Sequence, residues 1–117
     1  MNMDKRIVVT GSNGFIGSHI IAELIASNTP VSALVRGNSN CEVLKKLKCY
    51  NIIRTDHLKD PALTRRLGIS KPDYFVHCAW NNDDSFNITN LVEAISLAVT
   101  LKCKGFISIG SFEEYGF

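Results

Sequence analysis

Two kinds of hydrophobic pattern alternate along this chain. Short apolar runs predict five strands, at Lys5–Thr10, Val31–Val35, Tyr50–Arg54, Asp73–Ala79 and Gly105–Gly110. Between them, apolar residues at helical spacing predict four helices, at about Gly14–Ala26, Glu42–Lys48, Pro61–Leu67 and Asn87–Lys102. Because strand and helix alternate throughout, the pattern predicts an α/β fold, a doubly wound parallel sheet with helices on both faces.

The apolar positions also predict which surfaces are buried. The first strand carries Ile7-Val8-Val9 without polar alternation, as expected of a strand that is covered on both faces. The first and last helices each carry an apolar stripe that we expect to pack on the sheet. The first stripe consists of Ile16, Ile20, Ile21, Leu24 and Ile25, and the second consists of Ile88, Leu91, Val92, Ile95, Ala98 and Val99.

Composition narrows the class of protein. The 117 residues are 45% hydrophobic and carry a net charge of +2 with both signs dispersed, which predicts one globular domain over residues 1–117 without a nucleic-acid partner. No apolar run approaches the ~18 residues of a membrane span, and the N-terminus lacks a signal peptide's apolar segment, so we expect a cytoplasmic protein without a membrane partner. The four cysteines show no metal-ligand spacing and are expected to be free, mostly buried thiols.

The stretch from Val8 to Gly17 carries the strongest functional signal. An apolar strand runs into a turn with glycines at positions 11, 14 and 17, and a helix follows directly. The first N–H groups of such a helix are unpaired and lie at the positive end of the helix dipole, which suits a phosphate group. We expect Gly11 to allow the tight exit from the strand, Gly14 to let the backbone approach a pyrophosphate, and Gly17 to clear space where the helix meets the sheet.

This turn is also where the chain resembles a known family. The segment Thr-Gly-Ser-Asn-Gly-Phe-Ile-Gly-Ser-His at 10–19 closely resembles the opening of the extended short-chain dehydrogenase/reductase family, of the NAD-dependent epimerase/dehydratase type. Its members include nucleotide-sugar epimerases, dehydratases and 4-ketoreductases with a Rossmann-like fold. The resemblance implies that the cofactor's pyrophosphate lies at this turn. The residues assigned to it are Gly11, Ser12, Asn13, Gly14, Phe15, Ile16 and Gly17.

Arg36 bears on the choice of cofactor, since it ends the second predicted strand about 20 residues beyond the glycine turn. An Asp or Glu at this place accepts hydrogen bonds from the adenosine ribose of NAD, whereas an Arg accommodates the 2′-phosphate of NADP. Arg36 therefore favours NADP, with NAD as the alternative. Two plainer interpretations stay open: Arg36 as a solvated surface charge, and Gly37-Asn38-Ser39 as a turn rather than phosphate donors.

The third predicted strand leads into a segment that resembles the family's Asp-Leu-containing stretch. In the family this stretch lies along the adenine ring, and the resemblance assigns Asp56, His57 and Leu58 to the cofactor. Asp56 is equally well explained as a turn or helix-capping residue, because a short carboxylate readily accepts hydrogen bonds from nearby backbone N–H groups.

The fourth predicted strand resembles the family's V-x-H-x-A segment. Family members pass the residues after this His close to the pyrophosphate and the nicotinamide ribose, which assigns Cys78, Ala79 and Trp80 to the cofactor. Trp80 replaces a smaller residue and is expected to narrow the substrate pocket. We expect His77 itself to be a buried, hydrogen-bonded imidazole rather than a catalytic group.

A polar loop at 81–85 follows this strand. Asp83 and Asp84 have no third ligand at suitable spacing, so we expect a solvated loop and no metal site. Asn87 is the one residue at the start of the last helix that matches the family's N-V-x-G-T opening.

The end of the chain resembles the family's S/T-x-x-x-Y-G active-site segment. The resemblance makes Ser111 the catalytic residue that hydrogen-bonds the reacting oxygen and Glu113 the carboxylate that some members use as an acid or base. Dehydratases of the family place an Asp directly before that Glu, and Phe112 stands there instead, which disfavours elimination chemistry. Without the resemblance, a Ser at the end of a strand is more often a cap or turn residue.

The family's proton-transferring Tyr, followed four residues later by a Lys, does not occur in these 117 residues. We therefore expect an N-terminal part of a longer enzyme, truncated after the fifth strand and inactive by itself. Exposed apolar surface would then favour self-association or a homodimer. The implied function is the cofactor-binding half of an NADP(H)-dependent 4-ketoreductase or epimerase that acts on a nucleotide sugar, and the alternative is a non-catalytic NAD(P)-binding sensor.

Overall fold

The computed structural model of the chain describes residues 5–109, which form five strands and four helices. The elements are β1 (Ile7–Thr10), α1 (Phe15–Ala26), β2 (Val31–Val35), α2 (Glu42–Lys46), β3 (Ile52–Arg54), α3 (Pro61–Ser70), β4 (Tyr74–His77), α4 (Asp84–Thr100) and β5 (Gly105–Ser108). All strand pairs are parallel, and the sheet order is β3-β2-β1-β4-β5. The predicted α/β Rossmann-like fold is confirmed.

Neighbouring residues of each central strand enter opposite cores, because successive side chains of a strand point to opposite faces. Val8 of β1 belongs to a core formed with α3 and α4, and it is fully buried. Val9 belongs to a second core formed with α1 and α2. Phe75 and Val76 of β4 divide between the two cores in the same way. The helices therefore cover both faces of the sheet, as the continuous apolar runs predict.

Several element boundaries differ from the prediction for local reasons. Asp83 caps α4, since its Oδ1 accepts a hydrogen bond from the Phe86 N–H at 3.2 Å, so the helix begins at Asp84 rather than at Asn87. Asp83 and Asp84 are exposed to solvent as expected, but Asp84 is the first residue of the helix rather than part of a loop. Helix α3 continues to Ser70, where Lys71 in the left-handed conformation (φ 49°) ends it.

The predicted stripe of α4 is wrong in most of its positions. Ile88, Val92, Ile95 and Val99 are exposed, whereas Ala94, Leu97 and Ala98 are buried against the sheet. The cause is that α4 is apolar around most of its circumference, so periodicity alone does not select the buried side. In α1, Ile21 is buried as expected, but Ile16 lies at the first turn and is 47% exposed.

The strand order creates a crevice at the carboxyl edge of the sheet. The chain leaves β1 for β2 on one side and enters β4 on the other, so the connections after β1 and β4 diverge at this edge. Open α/β sheets bind ligands at such a switch point. The four cysteines are free, Cys41 and Cys49 buried and the other two half-buried, as expected. None of the helices within residues 5–109 has the length and apolar character to cross a membrane.

Candidate functional site

A cavity of about 300 Å³ occupies the crevice at the carboxyl ends of the strands. Segments that follow β1, β2, β3 and β4 all contribute to its wall, together with the first turns of α4. The lining residues are Thr10, Gly11, Asn13, Gly14, Leu34, Val35, Arg36, Ser39, Thr55, Asp56, Leu58, Cys78, Ala79, Trp80, Asn81, Phe86 and Asn90. The cavity thus joins the glycine turn to the three other segments that the sequence assigned to a cofactor.

The glycine turn is built from two close backbone approaches. Gly11 has φ +61°, and a Cβ there would lie 2.7 Å from the Cys78 carbonyl carbon, so the turn presses against the segment after β4. A Cβ on Gly17 would overlap the carbonyl of Gly11, so this glycine clears space for the turn itself rather than for the sheet, which corrects the expectation. Gly14 is the N-cap of α1 and lines the cavity.

Some residues of the glycine turn do not line the cavity. Ser12 is fully buried, its hydroxyl donates to the Val9 carbonyl at 2.6 Å, and its N–H donates to the Leu34 carbonyl at 3.3 Å. Its polar groups are therefore already used within the fold. Phe15 and Ile16 begin α1 with exposed side chains, and their N–H groups have no carbonyl one turn back in the helix to accept from them.

Thr10 joins the two strands that flank the crevice. Its hydroxyl accepts a hydrogen bond from the Cys78 N–H at 3.0 Å and lies 2.7 Å from Nδ1 of His77, which faces it across the β1–β4 pair. His77 is fully buried, and burial lowers its pKa from 6.5 to about 4, so the ring is neutral at pH 7. This confirms the expectation of a buried, hydrogen-bonded imidazole.

Thr10→Val removes this link while keeping the side chain's shape. The Cys78 N–H and His77 Nδ1 lose their partner, and we expect the free energy of unfolding to fall by about 2 to 4 kcal/mol, since each unsatisfied buried group costs about 1 to 3 kcal/mol. Thr10→Ser keeps the hydroxyl and loses one methyl group, at about 1 kcal/mol. Urea unfolding of the three proteins tests this, and a valine variant as stable as the serine variant would contradict the role of the hydroxyl.

Burial of His77 also makes stability depend on pH. The unfolded chain takes up a proton on this ring near pH 6.5, whereas the folded protein takes it up only near pH 4. The contribution of His77 to stability is therefore present above pH 6.5 and declines as pH falls towards 4, by a few kcal/mol in total. NMR titration of the His77 ring proton tests the cause directly, and a midpoint near 6.5 in the folded protein would contradict it.

The segment after β4 forms the opposite wall of the cavity. Burial raises the pKa of the Cys78 thiol to about 11, so this cysteine is a neutral lining group and not a thiolate nucleophile. Trp80 lines the cavity, and its ring meets the His77 ring edge to face with 5.4 Å between centroids. The segment is held by Asn87, whose amide donates to the Asn81 carbonyl at 2.9 Å and accepts from the Asn81 N–H at 3.0 Å.

The segments after β2 and β3 form the far end of the cavity. Arg36 is exposed, and its guanidinium carbon lies 4.5 Å from the centre of the Phe86 ring. The Asp56 carboxylate accepts a hydrogen bond from the Gly37 N–H at 3.1 Å. Arg54 donates to the Ser39 carbonyl at 2.7 Å. Asp56 therefore serves as a turn residue, and it also lines the cavity.

Most of the sequence-predicted site residues meet in this cavity. Those that line it are Gly11, Asn13, Gly14, Arg36, Asp56, Leu58, Cys78, Ala79 and Trp80. Those that do not are Ser12, Phe15, Ile16, Gly17 and His57. The assigned catalytic residues Ser111 and Glu113 lie outside the described residues. Among residues 5–109, no three His, Cys, Asp or Glu side chains form a group that could hold a metal ion.

Eight lining residues were not assigned to the cofactor by the sequence analysis: Thr10, Leu34, Val35, Ser39, Thr55, Asn81, Phe86 and Asn90. Thr10 ends β1, and it lies opposite His77 because of the register between β1 and β4. That register cannot be read from the sequence. Phe86 and Asn90 lie one turn apart on α4, so their shared face was the available signal. Treating Asp83–Ser85 as loop concealed that signal.

Almost the whole chain matches the model of a known protein family. Residues 7–116 match the NAD dependent epimerase/dehydratase family. One relative is a sterol-4-alpha-carboxylate 3-dehydrogenase, decarboxylating, of Dictyostelium discoideum, 33% identical over 64% of this chain and 22% of that protein.

Solved structures share the fold at lower identity. A UDP-glucose-4-epimerase from Stenotrophomonas maltophila, solved with NAD and formylated UDP-arabinopyranose, superposes with a TM-score of 0.80 at 19% identity, covering 95% of this chain and 38% of that one. Leucoanthocyanidin reductase from Vitis vinifera, solved with NADPH, superposes with a TM-score of 0.70 at 18% identity, covering 86% of this chain and 34% of that one. The chain thus spans well under half the length of these proteins.

Proposed function

Because the chain belongs to the NAD dependent epimerase/dehydratase family, we propose that its cavity binds NADP(H) within an enzyme that acts on a nucleotide sugar. The reaction we propose is that of a 4-ketoreductase or a 4-epimerase. One observation carries the proposal: the cavity joins the glycine turn at the start of α1 to Arg36 at the end of β2. NADP(H) needs an anion site for its pyrophosphate and a cation for its 2′-phosphate, and the two ends of the cavity offer one each.

Each part of the cavity has a proposed role in holding the cofactor. The N–H groups of Phe15 and Ile16 would donate to the pyrophosphate, with the α1 dipole behind them. Arg36 would bind the 2′-phosphate, and Leu58 would pack on the adenine ring. The two solved structures with this fold are compatible with either cofactor, since the epimerase was solved with NAD and the reductase with NADPH.

The reacting end of the cofactor would lie beside the segment after β4. Ala79 and Trp80 would line the nicotinamide ribose, and the neutral Cys78 thiol would take no part in the chemistry. The bound cofactor supplies or accepts a hydride. By family resemblance, Ser111 would orient the substrate oxygen and Glu113 would act as an acid or base, while the Tyr and Lys that move the proton would come from residues outside this sequence.

A fluorescence titration tests the proposal, because energy transfer from a tryptophan to a bound cofactor also reports the distance between them. Trp80 is the single tryptophan of the 117 residues and lines the cavity, so excitation of its indole should transfer energy to bound NADPH. We expect saturable transfer, with NADPH binding more tightly than NADH. No saturable signal with either cofactor would refute the proposal, and tighter binding of NADH would refute its NADP part. Saturable binding without turnover of any nucleotide sugar by the natural protein would favour the sensor.

A further inference from the structure

Phe86 and Arg36 both lie in the wall of the cavity, and their side chains are in contact. The guanidinium carbon stands 4.5 Å from the ring centre, within the distance of a cation–π interaction. Both residues line the cavity, although they come from different connections of the sheet. We propose that Phe86 is a positioning residue that holds Arg36 ready for the 2′-phosphate of NADP and so sets the preference for NADP over NAD. This inference rests on the function proposed above.

The kind of contact matters, because it leaves the guanidinium free to bind an anion. A carboxylate partner would occupy the N–H donors of Arg36 and compete with a phosphate. Within residues 5–109 no carboxylate forms an ion pair with Arg36, and the ion pair in this part of the chain joins Lys104 to Asp73. The Phe86 ring instead attracts the positive charge of the guanidinium and has no carboxylate oxygens to take up its N–H donors.

Both partners of the contact stand on fixed backbone. The Phe86 N–H donates to the Asp83 cap of α4, and the next residue, Asn87, clamps the loop before the helix through two hydrogen bonds. On the other side, Arg54 donates to the carbonyls of Gly37 and Ser39 and so fixes the turn directly after Arg36. The ring therefore restrains a long and otherwise mobile side chain, which reduces the entropy lost when a phosphate binds.

Phe86→Leu is the first variant to make, because leucine keeps an apolar side chain but has no aromatic face. We expect the Kd for NADPH to rise about three- to fivefold, as is typical of losing an exposed cation–π contact. The Kd for NADH should change by less than twofold, since NADH has no 2′-phosphate. Phe86→Tyr keeps the ring face and should keep the wild-type ratio of the two Kd values. Phe86→Met is the second apolar variant, should the leucine variant not fold.

A double-mutant cycle separates positioning from simple packing. In an Arg36→Ala background, Phe86→Leu should leave the Kd for NADPH unchanged, because the residue that it positions is absent. If Phe86→Leu weakens NADPH and NADH equally, or has the same effect with and without Arg36, the inference is wrong while the proposed function stands. If the wild-type protein binds neither cofactor, the proposed function fails instead, and the inference falls with it.

Discussion

We expect Gly11→Ala to lower the free energy of unfolding by about 2 to 5 kcal/mol and to abolish the proposed cofactor binding at concentrations that saturate the wild-type protein. The left-handed conformation of Gly11 (φ +61°) costs an alanine about 1 to 2 kcal/mol. Its Cβ would also lie 2.7 Å from the Cys78 carbonyl carbon and 2.8 Å from the Ala79 Cα, and both are backbone atoms that no rotamer change can move. The turn must shift, and the proposed phosphate site would shift with it.

Gly68→Ala is the matched control for this prediction. Gly68 lies within α3, and a Cβ there would meet nothing within 4 Å. Alanine should therefore stabilise the protein by about 0.5 to 1 kcal/mol, because it has the higher helix propensity. Urea unfolding of both variants and NADPH titration measure the contrast. A Gly11→Ala protein that is as stable as the wild type and binds NADPH normally would show that the turn is not the tight approach described.

We expect Arg36→Ala to raise the Kd for NADPH about 10- to 100-fold and to change the Kd for NADH by less than twofold. Hydrogen bonds to a charged group are worth about 1.5 to 3 kcal/mol, which corresponds to this range of affinity. The wild-type affinity for NADPH should also fall with added salt more steeply than that of the variant, since the lost contact joins two exposed charges.

Arg65→Ala controls for the change in net charge. Arg65 lies on α3, is exposed, and does not line the cavity, so its removal changes the charge of the protein equally but leaves the site intact. Fluorescence titration with both cofactors distinguishes the two variants. If Arg36→Ala weakens NADPH no more than Arg65→Ala does, Arg36 is only a solvated surface charge, and the preference for NADP has no basis.

The fold could be predicted because its determinants are local. Continuous apolar runs placed all five strands, and the strand–turn–helix at Gly11 to Gly17 was specified by residues adjacent in sequence. The buried side of α4 could not be predicted in the same way. Both sides of that helix are apolar, and only packing on the sheet selects Leu97 over Ile95.

The sequence indicated the separate segments that line the cavity, but it did not indicate the contacts between those segments. Glycine spacing and the position of Arg36 pointed to the edge of the sheet where the cavity lies. The contact of Thr10 with His77 depends on a strand register between residues 67 apart, and that of Arg36 with Phe86 depends on where α4 begins. No local pattern encodes such long-range geometry. Ser111 and Glu113 stay predictions from family resemblance.

The binding of a nicotinamide dinucleotide at the glycine turn is the central claim, and amide NMR spectra recorded during an NADPH titration test it most directly. The largest shifts are expected at the amides of the glycine turn from Gly11 to Gly17, at Arg36 and its neighbours, and at Cys78 and Ala79. Each of these three segments contributes residues to the wall of the one cavity. Shifts confined to α3 and the strand ends opposite the cavity, or no shifts at saturating NADPH, would contradict the claim.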